Sequence, residues 1–119
     1  MAAVAKEIDE RAFQFLCNAI RFVRSIRSEP GVRRLIEQFV ASAGSIAANR
    51  EEASCASSRR EFVRFNEIAL RSANESVLWL RAFTATEIGN VREGSVLLDE
   101  ARQLARIIAA IVVRTKRTL

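Results

Sequence analysis

Histidine and tyrosine are absent from this 119-residue chain, and proline occurs once, at Pro30. The lack of histidine removes the commonest general base and the commonest metal ligand. Four glycines and one proline are too few for the many turns of an all-β fold. Two cysteines, Cys17 and Cys55, are too few for a disulfide or zinc framework and read as reduced thiols. The longest apolar run, Ile107 to Val113, falls far short of a membrane span. The first residues, Met1 to Arg11, carry Lys6, Glu7, Asp9, Glu10 and Arg11, with no apolar stretch of signal-peptide length. The expected setting is therefore cytoplasmic, with no membrane partner.

What is present points to one globular domain spanning residues 1–119, since half the residues are apolar and 28% are charged. Nineteen basic residues oppose fourteen acidic ones for a net charge of +5, and seventeen of the nineteen are Arg. Arg favours bidentate contacts with phosphate or carboxylate. The balance admits a nucleic-acid or acidic-protein partner, and equally a solvated helical surface rich in a good helix former.

Apolar periodicity marks four helices. Ile8, Ala12, Phe15, Leu16, Ala19, Val23 and Ile26 recur at three- and four-residue steps, predicting a helix over about 8–27. Ser28-Glu29-Pro30-Gly31 ends it, because the residue before Pro disfavours helical geometry and Pro suits a helix's first turn. A second helix over about 32–53 carries Val32, Leu35, Phe39, Ala43 and Ile46. Ser58 with Glu61 forms a capping box at the start of a third, about 59–86, whose stripe is Phe62, Phe65, Ala69, Trp79, Leu80 and Phe83. Gly89 is the expected left-handed C-cap, Asn90 with Glu93 is a second capping box, and a fourth helix over about 91–116 rides on Leu97, Ala101, Leu104, Ile108 and Ile111. Four long helices with short links predict an all-α, antiparallel up-down-up-down four-helix bundle.

Helices three and four carry more apolar surface than one bundle face requires, an arc only a little wider than about 100°. Val63, Leu70 and Val77 repeat every seven residues, the pattern of helices that pack on helices, and Leu98, Ile107 and Val112 widen the arc of helix four. The expectation is a homo-oligomer meeting through Val63, Leu70, Val77, Leu98, Ile107 and Val112; a monomer with a few exposed hydrophobes is the other reading. Ser45, Asn49 and Glu52 line one flank of helix two, and Ser72, Ser76 and Glu75 lie in or beside the stripe of helix three. They either bind a small polar group between helices or bond back to helix carbonyls and tie down neighbouring helices.

Alternating helix directions bring the loop at Pro30 beside the turn at Gly89. That end gathers Arg21, Arg24, Arg27, Arg33 and Arg34 with Arg81 and Arg92, against Glu29, Glu37, Glu87 and Glu93. Either end could present a basic patch; Arg21, Arg24, Arg27, Arg33 and Arg34 are the candidate nucleic-acid contacts, and such binding would be mostly to backbone phosphate. No Ser or Cys has a His base, and neither a Gly-rich phosphate loop nor a dinucleotide-binding fingerprint occurs, so a non-enzyme without metal or cofactor is expected.

The stretch Ser45-Ile46-Ala47-Ala48-Asn49-Arg50-Glu51-Glu52 resembles the Ser-Ile-x-x-Asn-x-x-Glu motif of the bacterial four-helix-bundle proteins named for intervening sequences in 23S ribosomal RNA genes. Glu61-Phe62-Val63-Arg64-Phe65, Ile68-Ala69-Leu70-Arg71-Ser72-Ala73-Asn74-Glu75, the turn glycine Gly89 and the tail Leu104 to Ile111 are similar to the same family, together covering most of the chain from about Leu35. Ala47 stands where that family commonly has Pro and Arg50 where it has Ile, exchanges that leave the fold untouched; Ala53 and Arg71 replace usual glycines. The resemblance implies a ring-forming bundle, typically a pentamer, with no known catalytic activity. Relatives include the accessory variability determinant of diversity-generating retroelements, a basic pentamer that works with a reverse transcriptase and nucleic acid. RNA or a nucleic-acid-handling protein is then the expected partner, and a protein-interaction scaffold with no nucleic-acid ligand the alternative.

Overall fold

A computed structural model of the chain describes residues 2–119, with side chains from residue 6 onward. It contains α1 (Ala2–Arg24), α2 (Pro30–Ser54), α3 (Arg59–Ala85) and α4 (Val91–Lys116), with no strand among the described residues. Each helix packs antiparallel on its chain neighbours and α1 closes the square against α4, an up-down-up-down bundle measuring 46 × 22 × 19 Å. The helix boundaries follow local chemistry. Glu29 is extended (φ −123°, ψ 154°), as a residue before Pro must be, and Pro30 opens α2. α1 ends at Arg24, short of the expected Arg27: Ile26 N–H bonds to the Val23 carbonyl, and Ser25 Oγ donates to the Phe22 carbonyl.

Two caps differ in detail from their sequence reading. Ser58 Oγ accepts from the Glu61 amide, but Glu61 reaches back to the Ser57 amide and hydroxyl, one residue before the expected partner. At the end of α3, the residue just past the C-cap Thr86 is Glu87 (φ 56°), which takes the left-handed capping role expected of Gly89, and the Ile88 amide closes the turn on the Phe83 carbonyl. Gly89 is also left-handed (φ 77°) and serves a second purpose: a Cβ there would lie 2.8 Å from the Phe22 ring.

The core runs the length of the bundle. Phe15, Phe22, Phe39 and Phe83 meet in the half of the bundle nearer the α1–α2 link, with ring centroids 5.7 to 6.4 Å apart, mostly edge to face. Each such pair adds about 0.5–1.5 kcal/mol beyond the area it buries. Ile46, Leu80, Leu104 and Ile108, all fully buried, extend the core, with alanines 12, 19, 43, 69, 73 and 101 fully buried among them.

The largest fully buried side chain is Arg50, at 1% exposure. Its Nε donates to Asp9 Oδ1 (2.9 Å) and its Nη1 to Asn66 Oδ1 (2.6 Å), while Ser54 Oγ donates to Asp9 Oδ2 (2.6 Å). The substitution expected to leave the bundle untouched thus ties α1, α2 and α3 together through one guanidinium. A charge in a low-dielectric interior requires a counter-charge and hydrogen-bond acceptors of this kind.

Candidate nucleic-acid interface

The α1–α2 and α3–α4 links meet at one end of the bundle, where Ile26, Val32 and Ile88 pack around Gly89. Arg21, Arg24, Arg27, Arg33, Arg34, Arg81 and Arg92 cluster at this end, and all are exposed. The sequence carries them there because α1 ends, α2 begins, α3 ends and α4 begins in the same layer. Three ion pairs occur among the described residues: Arg11–Glu100, Arg50–Asp9 and Lys116–Glu67. None involves the seven arginines, although Glu29, Glu37, Glu87 and Glu93 share their end. The opposite end is different, with part of its exposed basic charge neutralised by the Lys116–Glu67 pair.

The polar residues of α2 and α3 form a ladder across the interface of those helices. Ser72 Oγ donates to Ser45 Oγ (2.7 Å), Asn49 Nδ2 donates to the Ser45 carbonyl and Oγ, and Ser42 and Ser76 hydroxyls lie 2.7 Å apart. These groups satisfy one another, so the ladder ties helices together. Glu52 and Glu75 are exposed and stand apart from it, and Glu61 belongs to the α3 cap.

The residues expected to join subunits are mostly internal. Val63 and Val112 are buried (4% and 7% exposed), Leu70, Val77 and Leu98 pack against the core, and Ile107 is half-buried. The seven-residue repeat does signal helix packing, but Val63 is buried and Leu70 and Val77 pack against the core of the chain's own bundle, as Leu98, Ala105 and Val112 of the adjoining α4 do. Among the described residues the uncovered large hydrophobes lie elsewhere: Phe13 (49%) and Ile20 (40%) on α1, Leu78 on α3, Val91, Val96 (66%) and Val113 on α4, and Leu119 beyond it. Phe13 and Ile20 are one heptad apart, a spacing visible in the sequence but outshone there by the richer rows of α3 and α4.

The seam between α1 and α4 is the loosest of the four. The flank of α1 facing α4 carries Gln14, Asn18 and Arg21 where a closed seam would need apolar residues. Arg11 bridges it: Nε and Nη2 donate to Glu100 (3.0 and 2.7 Å), and Nη2 also reaches Gln103 (3.0 Å). The bond to Glu100 holds the Arg11 guanidinium above its ordinary pKa, against the opposing effect of burial. Toward the Arg-rich end the seam opens into a groove of about 300 Å³, with the buried Phe22 and Leu97 beneath it and the exposed Val96 along its side. Asn18, Arg21, Arg92 and Glu93 rim it, and Arg21 Nη1 donates to Asn18 Oδ1 (2.9 Å). Asn90 caps α4 by accepting from the Glu93 amide (2.9 Å), while the Glu93 side chain lines the groove. Among the described residues no group of Cys, Asp and Glu is placed to hold a metal ion, and no helix is long and apolar enough to cross a membrane.

Residues 6–110 match the family described as 23S rRNA-intervening sequence protein. A search of curated proteins gives no match. Among solved structures, a protein of unknown function from the S23 ribosomal protein family of Bacteroides thetaiotaomicron is similar in fold. The TM-score is 0.78 at 23% identity, over 88% of this chain and 97% of that one.

Proposed function

The chain belongs to the family of 23S rRNA-intervening sequence proteins, and from that premise we propose that it is a non-catalytic, homo-oligomeric bundle whose Arg-rich end binds RNA. The observation that carries this reading is the set of seven exposed arginines gathered at one end with, among the described residues, no carboxylate paired to any of them. Unpaired guanidiniums in water lose little on transfer to a phosphate backbone, and each contact releases a condensed counterion. Arg21, Arg24, Arg27, Arg33 and Arg34 are the contacts with RNA, and the phosphate chain rather than the base sequence is what they read.

Self-association multiplies this surface. Copies meet through the apolar positions the single bundle leaves wet, Phe13 and Ile20 on α1 foremost. The pentamer implied by the family resemblance would then present the arginines repeatedly, so that weak single contacts sum to useful avidity. A non-catalytic role is supported by the absence of histidine and by the placement of the buried hydroxyls, which are spent on one another.

Recovery of nucleic acid with the purified protein, with and without ribonuclease, tests the reading. Ribonuclease-sensitive nucleic acid is expected on the native chain and not after Arg21, Arg24, Arg33 and Arg34 are changed to Gln. Recovery of acidic protein alone, insensitive to ribonuclease, would instead indicate a protein-interaction scaffold.

A further inference from the structure

The α1–α4 groove has a mixed chemistry that generic phosphate binding at the Arg-rich end leaves unexplained. Its apolar lining is Phe22, Leu97 and the exposed Val96, yet its polar lining offers two guanidiniums, a carboxylate and a carboxamide. Arg21 and Arg92 suit an anion. Glu93, an acceptor, suits a ligand that brings its own hydroxyl or amine donors, and it would only weaken a site meant for a bare anion. Asn18 commits its oxygen to Arg21, which leaves its amide hydrogens free for an acceptor and holds the Arg21 guanidinium at the rim. Val96, at 66% exposure, is an apolar surface that nothing in the chain covers. A volume of about 300 Å³ sits at the small end of ligand sites, enough for one compact unit.

An anion, vicinal hydroxyls and a flat, largely apolar body in one compact ligand describe a ribonucleotide. We propose that the groove binds a single ribonucleotide unit, with its phosphate on Arg21 and Arg92, its ribose hydroxyls on Glu93, and its base laid over Val96 and Leu97. The inference deepens the RNA-binding reading and rests on it. It adds the discrimination that reading lacks: a carboxylate receiving ribose hydroxyls prefers RNA to DNA. The base meets aliphatic side chains and no hydrogen-bonding edge, so the site is indifferent to base identity.

Amide chemical-shift mapping on the intact protein tests this with adenosine monophosphate, its 2′-deoxy analogue, inorganic phosphate and a short oligoadenylate RNA. Adenosine monophosphate should move the amides of Asn18, Glu93, Val96 and Leu97 together with Arg21 and Arg92, whereas phosphate should move only the arginines. The deoxy analogue should bind at least threefold more weakly. Oligoadenylate moving the same amides at lower concentration identifies a strand as the occupant, and free nucleotide binding as tightly as the strand identifies the monomer. Val96→Trp fills the groove at an exposed position and should abolish the nucleotide shifts; Arg92→Gln should weaken binding at least fivefold. The proposal is overturned if the nucleotide leaves Val96 and Leu97 unmoved, if phosphate reproduces its full pattern, or if Val96→Trp binds it normally. Oligoadenylate affinity retained by a protein whose groove stays silent sinks the groove alone. A groove that takes nucleotide, in a protein whose RNA affinity ignores Arg24, Arg27, Arg33 and Arg34, sinks only the broader reading.

Discussion

Replacing Arg50 by Ala should cost the protein more than any single change at its surface. The guanidinium donates to Asp9 and Asn66 from a site only 1% exposed, and Asp9 also receives Ser54. Removing one partner of a buried pair costs roughly 3–5 kcal/mol, because the other charge is left without compensation. Asp9 keeps 17% of its side-chain surface and can rehydrate in part, which favours the lower end, about 3 kcal/mol. At about 2.1 cal/mol/K per residue the unfolding entropy of 119 residues is about 0.25 kcal/mol/K, so the melting temperature should fall by about 12 °C. Calorimetric or circular-dichroism melts read this directly. A second variant separates charge from packing: Arg50→Ile with Asp9→Ala and Asn66→Leu removes all three polar groups and should recover most of the loss. A fall of under about 3 °C for Arg50→Ala would refute the claim that this guanidinium holds three helices together.

Other outcomes follow from single observations. Glu87→Gly should stabilise the chain by about 0.5–1 kcal/mol in chemical denaturation, since a left-handed residue gains from losing its Cβ. Gly89→Ala should do the opposite, because its Cβ would strike the Phe22 ring, and a neutral result would discount that contact. Phe13→Glu with Ile20→Glu should convert the assembly to a 13.3 kDa species in light scattering while leaving helicity unchanged. Val63→Glu should lower the melting temperature by more than about 8 °C whatever the oligomeric state, as it places a charge inside the bundle.

The bundle was legible in the sequence because its helices obey one period and their ends carry local signals. Pro30, Ser58 and Asn90 mark the starts of α2, α3 and α4, and the fully buried positions Ala12, Phe39, Ala69 and Ala101 fall on the stripes the period defines. The Arg-rich end was legible for the same reason, since helix direction alone brings residues 21–34 beside 81–92. The seam of Val63, Leu70 and Val77 was visible as a packing surface, but periodicity cannot tell a neighbour in the same chain from one in another. Arg50 was illegible: a charged residue inside an apolar stripe reads as an edge position, and its partners, 41 residues away at Asp9 and 16 away at Asn66, are set by tertiary register. The groove escaped notice because it is made by what α1 lacks on one flank, and a missing seam becomes visible only when both helices are in place. Glu87 misled through composition, since glycine is the usual left-handed residue and Gly89 stood two positions away.

RNA affinity measured against salt, for the native chain and for the chain with Arg24, Arg27, Arg33 and Arg34 changed to Gln, bears most directly on the account. If those four arginines each neutralise one phosphate of a single strand, their contribution to the slope of log K against log salt is about −2.8. That share of the native affinity should weaken about 50-fold between about 50 and about 200 mM salt, and the variant should lose it. Affinity that stays flat across that range, or a variant whose slope matches the native one, would contradict an RNA interface built from the unpaired arginines of this end.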